Sequence, residues 1–178
     1  MGRYSPYPGQ LPLDMEVSFV TSPVALDAPL RPPLVLHRDT RLHSGAINEV
    51  TRNVAEFHRV FGLMRQALPY AAIAPDLAQL RINLLREEVD ELAIAISEVD
   101  IVGIADALAD IVYVAYGSAV TYGINLDTVL AEVHRSNMSK LDRSGRPIFR
   151  SDGKVAKSQL YSPPDVRRVL HEQPPLPW

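Results

Sequence analysis

The run GIADALADIVYVAYGSA, Gly103 to Ala119, is apolar almost throughout, yet it carries Asp106 and Asp110 four residues apart. In a buried helix each ionised carboxylate would cost several kcal/mol unless something partnered it. Any fold that keeps this segment in its core must therefore bring cations or donors to those two acids. At about 100° per residue, Asp106, Asp110, Tyr113, Gly117 and Val120 share one face.

The preceding helix-forming run, DLAQLRINLLREEVDELAIAISEVD after Pro75, shows the same pattern. Leu77, Leu80, Leu84, Glu88, Glu91 and Ala95 fall in one stripe, with Glu87 and Glu98 beside it. A second apolar side carries Ile82, Leu85, Val89, Leu92 and Ile96. Helices joined by a short connection pack antiparallel, so Glu88 and Glu91 are expected to meet Asp106 and Asp110. Four like charges there repel unless a cation lies among them, and oxygen-only ligands suit Mg²⁺ or Mn²⁺. Two plainer readings stay open: structural ion pairs of Asp106 and Asp110 with Arg81 or Arg86, and a solvated EExxE face.

The rest of the chain divides into three segments. Residues 1–43 form a Pro-rich arm, with Pro6, Pro8, Pro12, Pro23, Pro29, Pro32 and Pro33 excluding a long helix and EVSFV as a short strand. Residues 44–142 are the helical core. Its first helix is expected to be capped by Ser44, to carry Val50, Val54, Phe57, Phe61 and Met64 at helical spacing, and to end near Pro69. Gly103 is placed just before the next apolar helix, which stops at Gly123. Asn125 then caps LDTVLAEVHRSNMSK, with Asp127 in its first turn. In residues 143–178, RPIFRSDGKVAKS reads as a β-hairpin turning at Asp152-Gly153, SPPDVRRVLHE as a short helix and QPPLPW as a Pro-rich tail. The fold class is all-α, an antiparallel helical bundle, and helices apolar on more than one side predict an oligomer.

With 18 Lys+Arg against 21 Asp+Glu, the net charge of -3 gives no general attraction to nucleic acid or to an anionic membrane. The chain has no cysteine, which suits a reducing cytoplasm. The N-terminus lacks a basic-then-apolar layout, so no secretory signal is expected. Ile101 to Val120 is long enough to span a bilayer, but two acids near its centre would each cost about 2.5–3.5 kcal/mol, so it reads as a core helix of a soluble protein. His58 and His134 are expected to pack or hydrogen-bond rather than bind metal.

At LLREEVDEL and ADALADIVY the chain resembles the all-α nucleoside triphosphate pyrophosphatase superfamily, which includes MazG, phosphoribosyl-ATP pyrophosphohydrolase and the dimeric dUTPases. The family pattern is ExxE on one helix and ExxD on the next. Glu88 and Glu91 supply the first and Asp110 the final acid. Ala107 stands where the pattern has Glu, leaving Asp106 as the candidate replacement. The likeness runs from about Val54 to Asp165, through EVHRSNMSKLD and GKVAKSQLYSPPDV, and is nearest to MazG-like proteins of phages and Deinococcus. One phage member of that group, MazZ, is implied to trim guanine nucleotides.

The resemblance implies a homodimer or homotetramer that cleaves the α–β bond of a (d)NTP to give a monophosphate and pyrophosphate. dGTP or dUTP is the expected substrate, and diphosphates are a further one. It implies Glu88, Glu91, Asp106 and Asp110 as ligands of Mg²⁺ or Mn²⁺. Glu87 is the candidate proton acceptor beside Glu88. Asn83 and Tyr113, with Gly117, would line the base pocket. Asn137 and Lys140 lie near one helix face and could hold phosphate or sugar, and Lys154 and Lys157 on the hairpin could reach a phosphate in their own or a neighbouring protomer. Arg135 reads as a solvated charge. The competing class is a non-catalytic nucleotide-sensing or dimerisation module with a structural metal.

Overall fold

The computed structural model describes residues 47–178; the Pro-rich arm, the EVSFV strand and the Ser44 cap lie outside them. The described chain folds into five helices: α1 Glu49–Val60, α2 Pro75–Ser97, α3 Ile101–Tyr122, α4 Leu126–Met138 and α5 Val166–Glu172. The long helices α2 and α3 pair antiparallel across a three-residue turn, and α1 packs on α3. α5 packs on α4.

Local chemistry explains each boundary. α1 starts at Asn48, whose side chain accepts from Thr51 N–H. It stops at Val60 rather than near Pro69, because Gly62 takes φ 66° and Leu63 N–H turns back to the His58 carbonyl. Met64 thus follows the helix instead of extending it. Pro75 opens α2, where its missing N–H is harmless. α2 closes in the same 6→1, 5→2 pattern, with Val99 at φ 55° where glycine is usual.

Asp100 caps α3 by accepting from Val102 N–H, so Gly103 lies inside the helix instead of ahead of it. A Cβ at Gly103 would sit 2.9 Å from an Asp100 carboxylate oxygen and 3.1 Å from Ala95 Cβ, so the tight α2–α3 turn depends on that glycine. Gly123 ends α3 and Asn125 caps α4, both as expected.

Val54, Ala55, Tyr116 and Val120 form the buried core between α1 and α3, with Leu126 and Trp178 packed against it. Asp127 ties three elements together. It accepts from Asn48 N–H (2.8 Å) and Thr51 Oγ1 (2.9 Å) on α1 and from the Tyr116 hydroxyl on α3 (3.0 Å).

The expected β-hairpin shrinks to one antiparallel bridge, Phe149 with Val155, and no longer strand forms among the described residues. The ladder cannot extend because the segment lies exposed, with no sheet or helix burying one of its faces. The Pro-rich tail packs inward. Buried Gln173 accepts from Asn125 N–H and donates to the Gly123 carbonyl, Leu176 N–H bonds to Ala67 and Trp178 Nε1 to the Gln66 carbonyl.

Glu132 anchors the segment before that tail. Its buried carboxylate accepts from Arg135 at 2.7 and 2.8 Å and from Asp165 N–H at 2.8 Å, with Arg168 3.8 Å away. Arg135 is therefore half of a bidentate pair and not a free solvated charge. The Arg135 hydrogen bonds hold Glu132 down at about 2 against burial, aided by Asp165 N–H. A depressed carboxylate stabilises the fold above its ordinary value of 4.5, and that stability drains away as pH falls toward 2. Glu132→Gln should therefore lower stability by about 1–3 kcal/mol at pH 7, the usual scale for losing charge-assisted hydrogen bonds. The deficit relative to wild type should shrink as the pH of the denaturant melts is lowered from 5 to 2.

Candidate active site on the α2–α3 seam

The α2–α3 pairing brings the acid pairs together. Glu88 is half-buried on the inward side of α2, in line with half-buried Leu77 and Leu84 and buried Ala95. Partial burial lifts its carboxyl above the ordinary range, and the charges of Asp110, Glu91, Glu87 and Asp106 push the same way. The four other carboxylates expected at the site thus lie near enough to Glu88 for their charges to act on it. None of them forms an ion pair or accepts a hydrogen bond from a described residue. The structural pairing with Arg81 or Arg86 does not occur: buried Arg81 instead donates to Ser118 Oγ and the Val114 carbonyl.

The carboxylates are crowded without being gathered. Among the described residues no three acidic or histidine side chains converge tightly enough to make a ready metal cage. The donor chemistry nevertheless fits a hard cation, since every group is a carboxylate whose lone pairs are unused. Glu87, Glu91, Asp106 and Asp110 are exposed, which leaves their rotamers free to turn.

The other expected residues scatter. Asn83 is exposed one turn before Glu87 and accepts from Gln79. Tyr113 follows Asp110 along α3 and meets Phe57 edge-on at 5.8 Å, while Phe57 and Phe61 lie 4.3 Å apart. Asn137 and Lys140, at the end of α4, bond to each other at 2.8 Å. Lys154 is exposed in the turn, and Lys157 sits over the Tyr161 ring, 4.3 Å from its centroid. His58 is buried with Nδ1 on the Met64 carbonyl, as a packing histidine should be, and His134 is exposed.

The roles of three residues escaped the sequence reading. Arg81 falls on the Leu77–Leu84–Glu88 stripe, and a cation at an inward position was the available signal. Phe57 and Phe61 were read only as apolar spacing, although they form an aromatic wall with Tyr113 that stays partly open, at 39% and 64% exposure.

Among the described helices α3 has the length and apolarity to cross a membrane, but its inner face packs on α1 and α2 and it carries the two acids. A helical bundle with a carboxylate-lined seam defines the class, and sequence comparison agrees with it. The profile of the phosphoribosyl-ATP pyrophosphohydrolase family matches residues 54–137, from within α1 to the end of α4, and includes all five acids. The match supports a relationship to the all-α pyrophosphohydrolase superfamily. An uncharacterized protein of Acanthamoeba polyphaga mimivirus is 35% identical over 121 residues, covering 66% of this chain and 46% of its own. The chain thus spans about half the length of that relative.

The crowding at Glu88 has a measurable consequence. A raised carboxyl stabilises the fold fully below its ordinary value of 4.5, and that contribution is lost as pH rises through the raised value. Without divalent ions, Glu88→Gln should raise the melting temperature at pH 7 by about 2–4 °C, the response of a domain this size to roughly 1 kcal/mol. The gain should vanish near pH 4. A lowered melting temperature at pH 7 would show instead that Glu88 is held by favourable contacts.

Proposed function

We propose that this chain is a divalent-metal-dependent nucleoside triphosphate pyrophosphohydrolase, cleaving between the α- and β-phosphates to release a monophosphate and pyrophosphate. The observation that supports this most is the set of four carboxylates around the partly desolvated Glu88, all five without a partner among the described residues. Glu88, Glu91, Asp106 and Asp110 would hold Mg²⁺ or Mn²⁺, with Asp106 replacing the acid that Ala107 lacks. Such an ion supplies neutralisation of phosphate oxygens and activation of water.

The chain's own residues do the remaining work. Glu87, exposed beside Glu88, takes up the proton from the attacking water. Asn137 and Lys140, already bonded to each other, offer donors to phosphate or sugar. Lys154, with no acid on its ammonium among the described residues, and Lys157 reach toward phosphate from the C-terminal segment. Asn83 and Tyr113 line the base side. A deoxynucleotide carrying guanine or uracil is the substrate, and a diphosphate can use the same contacts.

The lack of a preformed cage favours a second reading, a nucleotide-sensing or dimerisation module with a structural ion. Pyrophosphate release from a nucleotide panel with Mg²⁺ and Mn²⁺ separates the two. Under the hydrolase reading, Glu91→Gln and Asp110→Asn each cut turnover by about 100-fold or more, as expected for groups used in the transition state, with unchanged circular dichroism. Full activity in either variant would remove that carboxylate from the site.

The assembly is also part of this reading. Ile94, Ile96, Val99, Ile101, Val102 and Leu108 are all about half exposed or more around the α2–α3 turn, too much apolar surface for one side of a lone protomer. A homodimer or homotetramer covers it. Light scattering at micromolar concentration should give a multiple of 19.7 kDa, and a monomeric mass would refute the assembly.

A further inference from the structure

One turn along α3 from the acids, the surface shared with α1 is aromatic and open. Phe57 on α1 and Phe61 at its C-terminal cap have ring centroids 4.3 Å apart, tilted by 34°. Tyr113 on α3 meets Phe57 edge-on, at 5.8 Å and 85°. All three reach solvent: Phe57 is 39% exposed, Phe61 64% and Tyr113 38%. Edge-on and tilted pairs leave ring area uncovered, where a parallel stack of the three would have consumed it.

The helices fix where this wall stands. Tyr113 lies three residues after Asp110 on the same face of α3, about 4.5 Å along the axis. Phe57 is carried to it by the packing of α1 on α3 through Val54, Ala55, Tyr116 and Val120. The rings therefore begin where the carboxylates end.

That order selects the occupant. A second copy of the chain seated on the rings would also desolvate exposed, unpartnered carboxylates one turn away, which is costly. The larger apolar surface lies elsewhere, at the α2–α3 turn, where Val99, Ile101 and Val102 are 85%, 73% and 74% exposed. A small ligand with an anionic chain at one end and a flat apolar face at the other meets both surfaces without that cost. On the functional reading above, that ligand is the nucleotide, with phosphates toward Asp106 and Asp110 and the base toward the rings.

We propose that Phe57, Phe61 and Tyr113 form a stacking platform for the nucleobase, which selects purine over pyrimidine nucleotides. Aromatic side chains stack on the face of any base, so the platform weighs the area of the base rather than its hydrogen-bonding edge. Three adjoining rings are wider than one pyrimidine, and a bicyclic purine covers more of them. Of guanine and uracil, guanine is then favoured.

The inference rests on the placement of phosphate at the acids, and its test does not need turnover. Calorimetry with Mn²⁺ compares inorganic triphosphate with α,β-non-hydrolysable analogues of dGTP, dATP, dUTP and dCTP. Both purine analogues should bind about tenfold more tightly than the pyrimidine ones. Phe61→Ala, at an exposed position, should weaken the purine analogues by about tenfold, within the range measured for base–aromatic stacking, and leave inorganic triphosphate unchanged. Phe61→Trp should keep the affinity, and its indole emission should be quenched by the dGTP analogue, with the wild type and its single Trp178 as the baseline. Equal affinities for purines and pyrimidines would overturn the proposal, as would nucleotide affinity untouched in Phe61→Ala or lost there together with that for triphosphate. Inorganic triphosphate bound normally alongside any of these results would leave phosphate at the acids and sink only the platform. Failure of every analogue and of triphosphate to bind would overturn both readings, and purine-selective binding without pyrophosphate release from any natural triphosphate would overturn the hydrolase alone.

Discussion

The antiparallel contact of α2 with α3 carries unbalanced charge along its whole length, and the fold is arranged around it. At the end near the turn, four carboxylates crowd Glu88, with no cation among the described residues to meet them. Toward the other end, buried Arg81 lies against α3 with only neutral partners. Joining the two would have been simple in sequence terms, since one residue type answers the other. The helices hold them two turns apart.

Holding that arrangement takes stability from elsewhere. The α2–α3 turn is tight enough to place Val99 in the left-handed region, where a β-branched residue costs about 1–2 kcal/mol. Compensation is found around α4. Asp127 gathers α1, α3 and α4, Glu132 fastens α5, and Gln173 closes the α3–α4 turn by bonding both its strands of backbone.

What was legible in the sequence follows the range of the forces involved. Helix existence, the Gly123 stop, the Asn125 cap and the meeting of Glu88 with Asp106 and Asp110 come from periodicity and caps, which act over a turn or two. The α1 end was misjudged because apolar spacing continued through Phe61 and Met64 while Gly62 had already turned the chain. Gly103 was placed outside α3 because a glycine reads as a breaker, whereas here it admits the close approach of Asp100 and Ala95. The hairpin had the right turn residues but no packed face. The contacts of Arg81 with α3, of Glu132 with Asp165 and of the tail were beyond reach, since the partners lie 33 to 112 residues apart.

The acids of this chain divide by what they touch, and the division separates scaffold from site. Asp127 and Glu132 have two or more donors each, so protonating or removing them loosens contacts that already exist. Glu88, Glu91, Asp106 and Asp110 have none among the described residues, and at Glu88 partial burial and the neighbouring carboxylates disfavour the charged form. A carboxylate that meets no donor in its own fold keeps its lone pairs for a cation or ligand from outside it. Arg81 stands apart from both sets, a buried cation that meets only neutral partners among the described residues.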